Sequence, residues 1–254
     1  MESSQIAIPL LLTFLAGIST GIGSLFSLLV KDFNKKILKF SLGLSAGVMI
    51  YISFVELLAK AIQGIGFITA NISFFTGIIF IMFVDFLIPH EYIEEHAKGR
   101  DPKDRKILAA GILTALGIGI HNFPEGIAVF MTSLGDLKLG IPIACAIAMH
   151  NIPEGIAVAM PIYYATQSRK KAFWYSFGSG IAEPVGALVA AAVLMPFLNP
   201  VILDFLLAFV AGIMVFISFD ELLPLSYAHE GEHISILGVV LGMVIMALSL
   251  YLLR

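Results

Sequence analysis

The sequence predicts an all-α polytopic membrane protein with eight transmembrane helices, built as a single transmembrane domain over residues 1–254. Three observations predict this class. Hydrophobic residues make up 59% of the chain and charged residues only 13%, which is typical of polytopic membrane proteins and not of soluble domains. Eight apolar runs are each long enough to cross a hydrocarbon core of about 30 Å. Two short motifs each occur twice, which indicates an internally repeated structure.

The eight apolar runs are expected to be helices, because only helices and closed barrels satisfy the backbone in lipid and the runs lack the strict alternation of strands. They lie at roughly 6–29, 39–61, 68–89, 107–133, 139–163, 172–197, 201–224 and 234–253. A formal net charge of −3 gives no reason to expect a nucleic-acid partner. The single cysteine, Cys145, excludes an internal disulfide and a cysteine-based zinc site.

Lysine and arginine predict how the helices are oriented. Twelve of them follow spans 1, 3 and 5, whereas only Lys60, Lys138 and Arg254 lie on the opposite side. The positive-inside rule therefore predicts a multi-pass protein of the inner or plasma membrane, with both termini extracellular or periplasmic. One of the basic loops, residues 90–106, also holds two histidines and three glutamates, and is expected to be a cytoplasmic His/acidic loop between helices 3 and 4.

A repeated motif relates spans 2 and 7. Residues 47–58 (GVMIYISFVELL) match residues 212–223 (GIMVFISFDELL) at a constant offset of 165, which brings Glu56 onto Glu221. A weaker pattern, G-I-x-x-x-x-G from Gly17 and again from Gly180, links spans 1 and 6, although chance similarity explains it equally well. Spans 2 and 7 differ by five in the order of spans, and so do spans 1 and 6. Because five is odd, the second copy crosses the bilayer in the opposite direction. We therefore expect an inverted repeat of helices 1–3 and 6–8 around a central helix 4/5 pair.

A doubled hexapeptide carries the chemistry of the central pair. HNFPEG begins at His121 in span 4, and HNIPEG begins 29 residues later at His150 in span 5. On a helix the glutamate lies about 40° round from the histidine and the asparagine about 100° round, so the three side chains share one face. Pro124 and Pro153 each remove a backbone donor, so we expect both helices to kink beside this face.

Imidazole, carboxylate and amide oxygen together suit a borderline divalent metal such as zinc. Packing in a polar bundle core would also explain one such face, but two copies favour metal binding. A further carboxylate, Glu183, precedes Pro184 in span 6; it is either another ligand or a hydrogen-bond partner of a nearby hydroxyl. The predicted metal ligands, which would hold one ion or two ions bridged by the motif glutamates, are His121, Asn122, Glu125, His150, Asn151, Glu154 and Glu183.

Other polar residues are candidates for the transport path. Asp220 and Glu221 lie near the predicted cytoplasmic end of span 7, and Glu56 takes the repeated position in span 2. His229 and His233 stand in a short His/Glu cluster after span 7. Each has an ordinary alternative, since acidic residues commonly cap helices and acidic loops are commonly only solvated.

The paired HNxPEG motifs, the eight spans and the His-containing loops resemble the Zrt/Irt-like (ZIP) divalent-metal transporters, and within them the prokaryotic ZupT/GufA branch. The resemblance implies a binuclear metal site formed by the seven residues named above, and a transport-path position at Glu221, with Asp220 where some members have histidine. Some relatives carry glutamine and aspartate in place of His150 and Asn151, so this site would carry one negative charge less.

The expected function is import of divalent cations, Zn²⁺ foremost and Fe²⁺, Mn²⁺, Co²⁺ or Cd²⁺ besides, by alternating access through a midplane metal site. The metal is substrate, and no organic cofactor is expected. The bilayer is the expected surrounding, and a homodimer is compatible with the sequence. A metal-selective channel is the alternative. An intramembrane metalloenzyme is disfavoured, because every polar group of the motif is used in ligation and none is left as a base.

Overall fold

In the computed structural model the described residues form eight long helices, and six of these contain a proline or a π-helical segment. The structure describes residues 3–29, 35–87, 102–194, 197, 199–227 and 232–253, and no strand occurs in these ranges. In chain order the helices are α1 (Ser3–Leu29), α2 (Lys35–Ile52, Ser53–Leu58 and Ala59–Ile65), α3 (Phe67–Leu87), α4 (Pro102–Gly135), α5 (Leu137–Thr166), α6 (Arg169–Val189 and Ala190–Leu194), α7 (Pro200–Ile217, Ser218–Leu222 and Leu223–Tyr227) and α8 (Glu232–Leu253).

Each helix contains a stretch long and apolar enough to cross a membrane, so the predicted class and the eight spans are confirmed. The spans of α2 and α7, Lys36–Ile65 and Pro200–Tyr227, are longer than expected because both helices continue past the predicted runs, through residues 62–65 and 225–227. Pro124 and Pro153 lie inside continuous helices. Residues 90–101 of the His/acidic loop, and His229, lie outside the described residues.

Glycines of the doubled motif set the packing of α4 and α5 against α6 and α1. A Cβ atom at Gly126 in α4 would collide with the carbonyl oxygen of Glu183 in α6. A Cβ atom at Gly155 in α5 would collide in the same way with the carbonyl oxygen of Thr20 in α1. The two contacts are equivalent. Gly126 and Gly155 are 29 residues apart, as the two hexapeptides are, and Thr20 and Glu183 are 163 residues apart, as Gly17 and Gly180 are.

The weaker repeat marks the crossing of α1 and α6. A Cβ at Gly17 would lie 2.7 Å from the carbonyl oxygen of Gly180, and one at Gly180 would lie 2.6 Å from the carbonyl oxygen of Gly17. The offset is again 163. Because each glycine contacts its own equivalent, this contact lies on the pseudo-two-fold axis that relates the two repeats. The similarity of spans 1 and 6 therefore reflects the fold and not chance.

The outer helices pack as two equivalent pairs. Gly47 of α2 lies against the backbone of Val239 in α8, and Gly212 of α7 lies against the backbone of Phe74 in α3. Both pairs of positions are related by the offset of 165 that the sequence showed for spans 2 and 7. The expected repeat of helices 1–3 and 6–8 around the α4/α5 pair is therefore present in the packing.

The repeated motif of α2 and α7 is π-helical in both copies. The segments are Ser53–Leu58 and Ser218–Leu222, and they carry Glu56 and Glu221. π-Helical turns inside α-helices occur frequently at functional sites. The two segments therefore single out these glutamates as more than incidental polar residues.

Candidate metal centre

Seven side chains of the predicted metal site are buried inside the helices. None of them exposes more than 1% of its surface: His121, Asn122, Glu125, His150, Asn151, Glu154 and Glu183. Ionisable groups inside a membrane protein are costly and are usually paired or functional. The close approach of α6 to α4 at Gly126 brings Glu183 to the same level as the doubled motif.

Each motif histidine contacts the glutamate of the other helix. The Nε2 atom of His121 lies 3.1 Å from Oε1 of Glu154. The Nε2 atom of His150 lies 3.4 Å from the Glu125 carboxylate and 3.9 Å from Oε1 of Glu154. The four side chains therefore form one cluster that joins α4 to α5.

The two asparagines are held by the backbones of α6 and α1. The Asn122 amide donates to the carbonyl oxygen of Ser179 at 3.2 Å, and the Asn151 amide donates to the carbonyl oxygen of Ala16 at 2.9 Å. These bonds are equivalent under the same offsets of 29 and 163. Asn151 also donates to Oε2 of Glu183 at 2.7 Å. Since the amide nitrogens are used in this way, the amide oxygens remain as acceptors.

Five buried oxygens of the cluster have no hydrogen-bond donor within the described part of the chain. They are Oδ1 of Asn122 and Asn151, Oε1 of Glu125 and Glu183, and Oε2 of Glu154. An unsatisfied buried polar group costs about 1–3 kcal/mol, and more when charged. A divalent cation would satisfy all of these acceptors, and a set of imidazole, carboxylate and amide donors fits Zn²⁺ or a similar ion.

The histidine and glutamate side chains contact one another, but they are not arranged around one common point where a metal ion would be coordinated. Over the described ranges, no three His, Cys, Asp or Glu side chains are grouped so that they could hold one metal ion as they stand. The histidine nitrogens and the glutamate oxygens that would bind a metal are partly engaged with each other. Metal binding through these engaged atoms would require the His–Glu contacts to open.

The centre is not fully symmetric. Glu183 of α6 corresponds at the offset of 163 to Thr20 of α1. Thr20 is fully buried, and its hydroxyl oxygen has no partner among the described residues. The third carboxylate of the centre is therefore confined to the α6 side, next to Asn151.

The remaining path candidates lie away from this cluster. Glu56 and Glu221 are half-buried on the two π-helical segments, and Asp220 is exposed beside Glu221. His233 is exposed in the first turn of α8. None of these four side chains is part of the buried cluster.

Asp204, a half-buried carboxylate in α7, belongs to none of the motifs and candidate sites predicted from the sequence. A lone acidic residue within an apolar span is itself a functional signal. Asp204 could therefore have been singled out from the sequence.

The fold and this centre define a polytopic α-helical membrane protein built around a buried cluster of histidine, asparagine and glutamate side chains. The family model described as ZIP Zinc transporter matches residues 88–250, more than half of the chain, and the protein belongs to that family.

Several curated relatives are similar over nearly the whole chain. The zinc transporter ZupT of Oceanobacillus iheyensis is 51% identical, with 96% of this chain and 97% of the relative covered. The zinc transporter ZupT of Akkermansia muciniphila is 49% identical, with 98% and 99% covered, and that of Streptococcus mutans shows the same three values. The expected family and its ZupT branch are confirmed. Because these relatives are named as transporters, the expectation that the protein is not an enzyme is confirmed as well.

Proposed function

We propose that the protein is a secondary transporter that imports divalent cations into the cytoplasm, Zn²⁺ foremost, with Fe²⁺, Mn²⁺, Co²⁺ and Cd²⁺ as further substrates. One observation carries the proposal: five acceptor oxygens without donors among the described residues are buried on α4, α5 and α6, where bound cations would satisfy them. The ZIP family membership and the ZupT names of the relatives support zinc as the first substrate.

The proposed ligands are the seven buried side chains of the centre. His121 and His150 supply imidazole nitrogens, and Asn122, Asn151 and Glu183 supply oxygens. Glu125 and Glu154 each contact the histidine of the other helix. We propose that these two glutamates bridge two ions.

Transport by alternating access follows from how the helices are grouped. All seven ligands stand on α4, α5 and α6, and the asparagines are tied to the backbones of α1 and α6. These four helices pack through the motif glycines, whereas α2 packs with α8 and α3 with α7. We propose that the four inner helices carry the metal as one unit against the two outer pairs, with Glu56 and Glu221 on the path at its two ends.

The bilayer is the natural surrounding of the outer pairs. Phe67 and Phe86 of α3 and Tyr251 of α8 are 68%, 84% and 78% exposed, which suits side chains in contact with lipid. We propose the inner or plasma membrane, with both termini extracellular or periplasmic, from the lysine and arginine distribution. A role for His233 in the transport path stays a prediction, and so does a homodimer.

Purified protein in liposomes is expected to take up Zn²⁺ with saturation, and at fewer than about 10³ ions per second, because a carrier must change conformation on the millisecond scale. Uptake is measured with a fluorescent zinc indicator inside the vesicles. Unsaturable, much faster flux would favour a metal-selective channel. Absence of flux with intact zinc binding would overturn the transport function.

Glu183→Gln is expected to lower the number of Zn²⁺ ions bound per protein from two to one. Glutamine keeps an oxygen that accepts from Asn151, but it removes the carboxylate charge next to Asn151. Isothermal titration of the detergent-solubilised protein measures the stoichiometry. Two ions bound by both proteins would show that Glu183 is not a ligand.

A further inference from the structure

A cavity of about 180 Å³ leads from the centre towards one end of the helices. Its walls are mostly apolar, but five polar residues line it: Glu56, Lys60, Glu125, Thr132 and Asp204. Glu125 belongs to the metal centre, and its Oε1 atom is buried without a donor in the described chain. The other four lie nearer the end of the bundle where α2 stops and α7 begins.

This cavity adjoins a wider groove of about 640 Å³ between α2, α5 and α8. The two share Glu56 and Lys60 in their walls. Gln63 and Lys138 line only the groove. The distribution of lysine and arginine predicts that this end faces the outside. The groove and the cavity together reach from the predicted outer end, past Glu56, Lys60 and Asp204, to Glu125.

Asp204 is directed towards α2 and not towards lipid. A Cβ atom at Gly64, in the last turn of α2, would collide with the Asp204 carboxylate. Lys60, which lines the same cavity, interacts electrostatically with Asp204. Besides Glu125, the cavity wall thus contains two carboxylates and one ammonium group.

We propose that Asp204 and Glu56 form an entrance site for divalent cations, and that Lys60 is the counter-ion that an arriving metal displaces from Asp204. The inference rests on the proposed transport function and adds an earlier contact for the same substrate. A divalent ion carries twice the charge of Lys60 and attracts the carboxylate more strongly at the same distance. The carboxylates concentrate cations at the mouth of a low-dielectric cleft, while Lys60 weakens that attraction.

The test compares Asp204→Asn and Lys60→Met with two control variants. Asp136→Asn removes the same charge from an exposed helix cap, and asparagine keeps the capping bond to the backbone of Lys138. Lys170→Met removes an exposed lysine in the first turn of α6, at the opposite end of the helices. Initial rates of Zn²⁺ uptake into liposomes give KM and maximal rate for each protein.

Asp204→Asn is expected to raise KM by roughly fivefold and Lys60→Met to lower it by roughly threefold, with maximal rates within twofold of wild type, since steering acts on association. In the Asp204→Asn background, Lys60→Met is expected to lose most of its effect, because the two charges act through each other. Both shifts should shrink at high ionic strength. The two control variants are expected to keep the wild-type KM.

Two outcomes would overturn the entrance site: equal KM values for Asp204→Asn and Asp136→Asn, or equal KM values for Lys60→Met and Lys170→Met. The rate of Zn²⁺ association with detergent-solubilised protein, followed by stopped flow against a chromogenic chelator, tests the site without transport. Slower association with Asp204→Asn supports it, and an unchanged rate overturns it. Zinc binding without uptake by the wild type would instead refute the proposed transport function alone.

Discussion

Replacing Glu125 or Glu154 by glutamine is expected to reduce Zn²⁺ uptake at least about a hundredfold. Each carboxylate is buried, contacts the histidine of the other helix and keeps one oxygen without a donor. Two unit charges about 4 Å apart interact by about 4 kcal/mol at an effective dielectric of 20, and each 1.4 kcal/mol is a factor of ten in binding. Glutamine preserves the shape and the contact but removes the charge.

The measurement is uptake into liposomes under Zn²⁺, Fe²⁺ and Cd²⁺, together with equilibrium zinc binding in detergent. Because the two glutamates are equivalent at the offset of 29, both variants should fail to a similar degree. Asp136→Asn, which removes one carboxylate from an exposed cap, serves as the matched control and should transport normally. Near-normal uptake by either glutamine variant would refute the doubled motif as the transport site.

Sequence periodicity predicted the fold because each helix of a membrane protein must satisfy its own backbone. The eight spans follow from that constraint together with the length of the apolar runs. The match of residues 47–58 with 212–223 predicted which outer helices are equivalent, and the contacts of Gly47 and Gly212 are equivalent in the structure. The π-helical form of both copies was not predictable, since it depends on how the surrounding helices pack around one turn.

The residues of the centre were predictable, but their arrangement was not. Helical geometry placed His121 and Glu125 on one face of α4, but it did not predict that His121 contacts Glu154 across the helix interface. A contact between helices depends on their separation and rotation, which no single helix specifies. The bonds from Asn122 and Asn151 to backbone carbonyls of α6 and α1 depend on the same packing.

Gly126→Leu is expected to prevent folding of the inner helices and to abolish transport. In α4 a Cβ at this position already collides with the backbone carbonyl of Glu183, which cannot turn away as a side chain could. Overpacking a core commonly costs about 1–3 kcal/mol, and a clash with backbone exceeds that range. The helices must separate, which moves Glu183 away from Asn151 and disrupts the centre. Thermal stability in detergent and the yield of monodisperse protein measure the effect.

Gly178→Leu is the matched control for this substitution. Gly178 lies in α6, and no heavy atom of the described structure lies within 4 Å of a Cβ placed there. The same gain of side-chain volume in a helix of the same unit should therefore leave stability and uptake close to wild type. If Gly126→Leu is equally well tolerated, the tight crossing of α4 and α6 is not what positions Glu183. If both substitutions are equally damaging, leucine harms these helices generally and the crossing has no special role. Only a large difference between the two variants supports close glycine packing as the cause of the convergence of α4, α5 and α6 on one metal centre.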